Sequence, residues 1–119
     1  MSRQFDRDVA IVGAGRIGLP WATVLAVDHD RSVTCIDIDQ DVVANLNDGV
    51  PPFEEPQLES VLSEAVDEGR LDATTEPSVV SEHQYVVFTI NAPRRQLDVF
   101  LDAVAEYGQY LTDDHTVIV

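Results

Sequence analysis

Apolar residues recur along this chain in two alternating patterns. Continuous apolar or β-branched runs, and one shorter segment, predict strands at Asp8–Val12, Arg31–Asp37, Leu71–Thr74, Tyr85–Ile90 and Thr116–Val119. Helical spacing separates them, from Arg16 to Val27, between Asp39 and Gly49, between Pro56 and Gly69, from Pro77 to Val80, and through Leu97, Phe100, Leu101 and Val104. Strands that alternate with helices form a parallel sheet with right-handed crossovers. The pattern predicts a three-layer α/β fold, a Rossmann-type doubly wound parallel sheet with helices on both faces.

Three glycines follow the first predicted strand in the order Gly-x-Gly-x-x-Gly, from Gly13 to Gly18. In a doubly wound sheet, ligands bind beyond the carboxyl ends of the strands, where this turn lies. Gly13 permits the tight turn, Gly15 lets a pyrophosphate approach the backbone, and Gly18 allows the helix to pack closely on the sheet. Amide groups at the helix start, at Arg16 and Ile17, are placed to donate to phosphates. The turn therefore predicts a dinucleotide site.

An acidic residue ends the second predicted strand. Asp37 lies nineteen residues after Gly18, where a carboxylate accepts the ribose hydroxyls of an adenosine and repels a 2′-phosphate. NAD is therefore expected rather than NADP, and Asp39 is expected to cap the next helix. Beyond the glycine turn, the residues predicted to bind the cofactor are Asp37, Ile38, Ile90, Asn91 and Ala92.

The charge of the chain excludes two classes of partner. Among 119 residues there are 22 acidic and 7 basic ones, a net charge of −15 with no lysine. Nucleic acids and anionic membrane surfaces are not expected, because both are recognised by clustered basic residues. The apolar runs fall short of the ~20 residues that a membrane-spanning helix needs. A single cysteine and no leader-like start favour the cytoplasm.

High acidity without lysine also favours a salt-loving source, since dense carboxylates keep a protein hydrated and soluble. The alternative is an acidic domain from an ordinary organism. A melting temperature measured from low to multimolar salt distinguishes the two.

The remaining polar and aromatic residues suggest no further chemistry. Cys35 lies inside a predicted strand, where a free cysteine is usually a small core residue. Trp21 and Tyr85 are expected in or near the core. The histidines lack metal-ligand spacing and fall in predicted loops, so surface positions and no metal site are expected for His29, His83 and His115.

Further motifs make the chain similar to the nucleotide-sugar dehydrogenases, the UDP-glucose/GDP-mannose dehydrogenase family. The N-terminal NAD-binding domain of that family carries Gly-x-Gly-x-x-Gly-Leu-Pro and Asp-x-Asp, present here at residues 13–20 and 37–39. Leu-Asn-x-Gly follows at 46–49, Glu-Pro-x-Leu at 55–58 and Gly-Arg-Leu-x-Ala-Thr-Thr at 69–75. The last two motifs are specific, because Rossmann domains in general have no reason to carry them.

The resemblance implies an enzyme that oxidises the primary alcohol of a sugar nucleotide to the acid, passing hydrides to two NAD. It also implies a catalytic cysteine, helped by Lys, Asn and Asp from later in the chain. No lysine is present and Cys35 lies in a predicted strand, so no catalytic residue is predicted here. Residues 1–119 are expected to be the NAD-binding N-terminal fragment of a longer enzyme, inactive alone, whose remaining part binds the sugar nucleotide and forms a homo-oligomer.

Two positions depart from the pattern of the family. The family often places Lys or Arg where Val42 stands, and it commonly shows Pro-Thr-Pro where this chain has Asn91-Ala92-Pro93. A charged contact and a hydroxyl near the bound cofactor are thereby missing. Both changes bear on the affinity for NAD.

Two other protein classes share part of this pattern. A nucleotide-sensing regulatory domain of the potassium-uptake type also favours Gly-x-Gly-Arg-x-Gly and an acid after the second strand, as Arg16 and Asp37 provide. A related hydroxy-acid dehydrogenase shares the glycine fingerprint. Neither class usually inserts the proline-led helix of residues 50–75, and this insert favours the nucleotide-sugar dehydrogenases.

Overall fold

The computed structural model describes residues 7–15, 18–89 and 97–118, and helices connect the successive strands in them. The strands are β1 (Arg7–Val12), β2 (Val33–Ile36), β3 (Leu71–Thr74), β4 (His83–Phe88) and β5 (Thr116–Ile118). The helices are α1 (Gly18–Val27), α2 (Gln40–Asn47), α3 (Pro56–Asp67) and α4 (Leu97–Gly108), with a 3₁₀ helix over Pro77–Glu82. Each predicted helix and strand is present, with ends shifted by a few residues.

The strands form one sheet in the order β3-β2-β1-β4-β5, and every neighbouring pair is parallel. β1 is central, with Val9 paired to Val33 of β2 and to Tyr85 of β4. The chain winds outward from β1 to β3 and then returns to the other side of β1. The strand order therefore reverses between β1 and β4, as in a doubly wound sheet.

Each face of the sheet packs against its own set of helices. Alternate β1 residues, Val9 and Ile11, lie in a core cluster with apolar residues of α1, α2 and α3. The residues between them, Ala10 and Val12, lie in a second cluster with Val80 of the 3₁₀ helix and Tyr107 of α4. Because helices cover both faces, the predicted three-layer Rossmann-type fold is confirmed.

Side chains fix both ends of α2. The Asp39 carboxylate accepts hydrogen bonds from the backbone N–H groups of Asp41 at 2.9 Å and Val42 at 3.3 Å, so its predicted role as helix cap is confirmed. At the last residue of α2, the Asn47 amide bonds to the edge strand β3. It donates to the Ala73 carbonyl at 3.0 Å and accepts from the Ala73 N–H at 2.9 Å.

Three expectations about burial are wrong. His83 is not a surface loop residue, because β4 begins there and only 1% of its surface is exposed. Trp21 is 61% exposed, since α1 turns the face containing Leu19 and Ala22 to the core and Trp21 away from it. Tyr85 is 39% exposed on β4, which only β5 separates from the edge of the sheet.

Candidate functional site

The glycine turn leaves the carboxyl end of β1, between the ends of β2 and β4. Gly13 has φ +104°, a conformation that residues with a side chain rarely adopt. Its N–H donates to the carbonyl of Ile36, the last residue of β2, at 2.8 Å. The turn is therefore built into the sheet at the point where the strand order reverses, which is the ligand-binding position of this fold.

The other two glycines meet opposite surroundings. A Cβ on Gly18 would collide with the Gly13 carbonyl oxygen and the Thr89 hydroxyl, so α1 approaches the sheet only because this side chain is absent. Among the described residues, a Cβ on Gly15 would meet no atom within 4 Å, and Gly15 is exposed. The surface above Gly15 is therefore open, as the approach of a pyrophosphate requires.

Asp37 lies beside the turn at the end of β2. Its Oδ2 accepts a hydrogen bond from the Ala14 N–H at 3.1 Å, and its Oδ1 accepts one from the Asp39 N–H at 3.0 Å. Because an ionised carboxylate has about four acceptor positions, each oxygen can still accept another donor. The next residue, Ile38, is 93% exposed and offers an apolar surface beside this acceptor. These surroundings fit a ribose with an adenine next to it.

A threonine that the sequence did not single out completes the turn. Thr89 follows β4, and its hydroxyl lies 2.9 Å from the Gly13 carbonyl oxygen and 3.1 Å from that of Val12. The Thr89 N–H also donates to Val12 at 2.9 Å. Its place directly after a strand neighbouring β1 is the one sequence signal that could have identified it.

The structure brings five of the predicted cofactor-binding residues to this edge of the sheet: Gly13, Gly15, Gly18, Asp37 and Ile38. The other five lie outside the described residues: Arg16, Ile17, Ile90, Asn91 and Ala92.

Other reactive side chains of the described residues are enclosed or scattered. Cys35 is fully buried in β2, and burial, followed by the charges of Asp72 and Asp37, raises the pKa of its thiol to about 12. Such a thiol is protonated and unreactive. Within residues 7–15, 18–89 and 97–118, no group of three or more His, Cys, Asp or Glu side chains is arranged to hold a metal ion. In the same ranges, no helix combines the length and apolar character needed to cross a membrane.

Comparison with known families identifies this arrangement. Residues 7–119 match the profile described as UDP-glucose/GDP-mannose dehydrogenase family, NAD binding domain. The chain belongs to this family. NAD is therefore the cofactor of the domain, as the glycine turn and Asp37 predicted.

Relatives within the UDP-glucose/GDP-mannose dehydrogenase family match almost the whole chain. An NDP-N-acetyl-D-galactosaminuronic acid dehydrogenase from Ralstonia nicotianae is 38% identical over 88% of the chain and 26% of its own length. A UDP-N-acetyl-D-mannosamine dehydrogenase from Methanococcus aeolicus is 32% identical over 93% of the chain and 26% of its own length. The chain thus spans about a quarter of the length of these relatives.

A solved structure shows the same fold. The UDP-D-ManNAc dehydrogenase from Pyrococcus horikoshii superimposes with a TM-score of 0.85 at 24% identity, over 92% of this chain and 27% of that one. The comparisons give no support to the alternative of a nucleotide-sensing regulatory domain of the potassium-uptake type.

Proposed function

We propose that this chain is the cofactor domain of an enzyme that oxidises the primary alcohol of a nucleotide sugar to the acid with two NAD. The family of the chain and the activities after which its relatives are named support this proposal. When bound, NAD would supply the hydride acceptor, and the residues of this domain would hold and orient it. Because the chain has no lysine, a catalytic lysine comes from the part of the enzyme that corresponds to the remaining length of the relatives.

Within this domain, the glycine turn receives the pyrophosphate and Asp37 receives the adenosine ribose. The observation that carries this assignment is the hydrogen bond of 3.1 Å between the Ala14 N–H and Asp37 Oδ2. It brings the carboxylate to the residue directly before Gly15, whose surface is open among the described residues. The adenosine and phosphate sites are therefore adjacent, as they are in a dinucleotide. On the family motif, we assign Arg16, Ile17, Ile90, Asn91 and Ala92 to the same site.

The carboxylate of Asp37 also selects the cofactor. A 2′-phosphate would lie against a negative side chain, whereas the two hydroxyls of NAD would donate to it. We expect the chain to bind NAD more tightly than NADP. Asp37→Ala should weaken NAD at least about tenfold, because hydrogen bonds to a charged group contribute about 1.5–3 kcal/mol each. It should also reduce the preference over NADP. Calorimetric titration with both dinucleotides measures these effects.

Asp41→Ala is the matched control for this experiment. Asp41 is exposed in the first turn of α2, carries the same charge, and forms no side-chain hydrogen bond to the described residues of the turn. Its substitution should change NAD affinity by less than about twofold. Tighter binding of NADP than of NAD by the unmodified chain would overturn the role given to Asp37.

We further propose that the complete enzyme takes a sugar nucleotide through its other part and forms a homo-oligomer. The names of the relatives support a UDP- or NDP-linked N-acetylhexosamine or glucose substrate. The cytoplasm is the proposed location, and Cys35, which is unpaired and buried, fits a reducing compartment. Cell fractionation and the mass of the purified enzyme in solution test these two points.

Adaptation to high salt is a separate proposal. The excess of 22 acidic over 7 basic residues supports it, since salt screens the repulsion among carboxylates. The melting temperature should rise from dilute buffer to multimolar sodium chloride. A domain that is equally stable in dilute buffer would contradict it.

A further inference from the structure

A single peptide unit of the glycine turn is held at both of its polar ends. The carbonyl of Gly13 and the N–H of Ala14 belong to the same peptide group. The Thr89 hydroxyl, from the end of β4, lies 2.9 Å from that carbonyl oxygen. The Asp37 carboxylate, from the end of β2, accepts from that N–H at 3.1 Å. The two side chains therefore hold one peptide plane from opposite sides of β1.

The direction of the Thr89 bond follows from its surroundings. The carbonyl of Val12 already accepts the Thr89 N–H at 2.9 Å. A hydroxyl has one proton to donate, and the Gly13 carbonyl oxygen is nearer to it than that of Val12, at 2.9 Å against 3.1 Å. Both neighbours are carbonyl oxygens, so the hydroxyl is the donor, and the Gly13 carbonyl oxygen is the nearer acceptor.

We propose that Thr89 is a positioning residue for the cofactor: with Asp37 it holds the Gly13–Ala14 peptide in the orientation that presents the turn to the pyrophosphate. The inference rests on the proposed function of the turn. The orientation of this peptide depends on ψ of Gly13 and φ of Ala14, and Gly13 restricts its own ψ little because it has no Cβ. A peptide fixed before the ligand arrives spares the binding step the entropy of ordering it, and preorganised sites bind more tightly for this reason.

Sharing the Asp37 carboxylate has a second consequence. The same side chain is placed to bind the ribose and to hold the peptide before the phosphate site. Among the described residues, the Thr89 hydroxyl bonds to the Gly13 and Val12 carbonyl oxygens, on the side of β1 away from Asp37. Loss of the Thr89 hydroxyl should therefore affect ligands that carry a pyrophosphate and spare adenosine.

Three variants of the full chain isolate the hydroxyl. Thr89→Ala removes it, Thr89→Ser restores it without the methyl group, and Thr89→Val keeps the volume in case Thr89→Ala does not fold. Calorimetry gives the dissociation constants of NAD and ADP-ribose, and NMR titration gives that of adenosine. The expected result is about tenfold weaker NAD and ADP-ribose binding in Thr89→Ala and Thr89→Val, adenosine within about twofold, and recovery in Thr89→Ser.

Thr23 offers a matched control. Its buried hydroxyl also donates to a backbone carbonyl, that of Pro20 at 2.8 Å, but within α1. Thr23→Ala should lower the melting temperature and leave the ratio of NAD to adenosine affinity unchanged. If Thr89 had a purely structural role, Thr89→Ala would likewise lower the melting temperature and leave the ratio of NAD to adenosine affinity unchanged. Wild-type NAD affinity in Thr89→Ala and Thr89→Val, or equal loss of NAD and adenosine, overturns the proposal.

Amide hydrogen exchange in the ligand-free chain separates this inference from the proposed function. The Ala14 N–H should exchange about tenfold faster in Thr89→Ala than in the unmodified chain and in Thr89→Ser. If the unmodified chain does not bind NAD, the proposed function fails, whereas unchanged exchange at Ala14 overturns the peptide clamp itself.

Discussion

The two ends of the sheet use similar side chains for different purposes. At the carboxyl end, Asp37 and Thr89 bond to the backbone of the glycine turn, and the outer surface of the turn at Gly15 is open. At the amino end, His83 and Thr34 bond to each other and are both buried. Polar side chains at the carboxyl end therefore lie beside an open surface, whereas those at the amino end are bonded to each other inside the protein.

Proton positions at the amino end follow from the partners. His83 Nδ1 lies 2.8 Å from the Val79 carbonyl oxygen, which only accepts, so Nδ1 carries the proton. His83 Nε2, 2.8 Å from the Thr34 hydroxyl, then accepts from it. Both ring nitrogens of the neutral histidine are thus bonded. The Thr34 hydroxyl thus bonds to a side chain, whereas the Thr89 hydroxyl bonds to the backbone carbonyl of Gly13. Only the second bond lies next to an open surface.

The largest effect should come from Gly18→Ala. The added Cβ would overlap the Gly13 carbonyl oxygen and the Thr89 hydroxyl, so α1 would have to move away from the turn. We expect a loss of about 3 kcal/mol in the free energy of unfolding, together with loss of NAD binding. Urea denaturation followed by circular dichroism measures the stability.

Gly15→Ala should weaken NAD binding without the loss of stability expected for Gly18→Ala. No atom of the part of the chain that the structure describes lies within 4 Å of the added Cβ, so stability should change by less than about 1 kcal/mol. NAD affinity should nevertheless fall, since the methyl group would occupy the surface assigned to the pyrophosphate. Equal NAD affinity in Gly15→Ala and the unmodified chain would show that the phosphate site lies elsewhere.

A smaller effect, confined to stability, should come from Thr34→Val. The substitution leaves the buried His83 Nε2 without its donor, which costs about 1–3 kcal/mol. NAD affinity should stay within about twofold of the unmodified chain, because the amino end is remote from the turn. A fall in affinity as large as the one caused by Gly15→Ala would mean that the two ends are coupled.

The smallest effect should be a dependence of stability on pH. Burial lowers the pKa of His83, reinforced by the charge of Arg7, against the opposing effects of the Val79 carbonyl, Asp72 and Glu82. The unfolded chain therefore binds the proton first as pH falls. Neutral His83 therefore makes its full contribution to the free energy of unfolding above about pH 6.5. This contribution is lost as the pH falls from there through the lowered pKa.

Comparison with His83→Leu isolates this contribution. The difference in unfolding free energy between the two proteins should change by at most about 1.4 kcal/mol per pH unit below pH 6.5, the limit for a single proton. A difference that stays constant from pH 7.5 to pH 5 would contradict it.

The features that could be predicted from the sequence are those that depend on residues close together in the chain. The runs of β1 and β2 and the cap at Asp39 depend on near neighbours, and the fold and cofactor followed from them. His83 was misplaced because its burial depends on Thr34, 49 residues earlier in the chain. Thr89 was missed for the same reason, since its partner Gly13 lies 76 residues away. These contacts exist only after the sheet has brought the strands together.

The Asn47 amide protects one edge of the sheet. A primary amide offers one donor and one acceptor side by side, as a residue of a neighbouring strand does, and Ala73 of β3 is already bonded to both. A strand approaching the β3 side would have to displace this side chain first. The β3 edge of the described sheet is therefore protected against pairing with another strand.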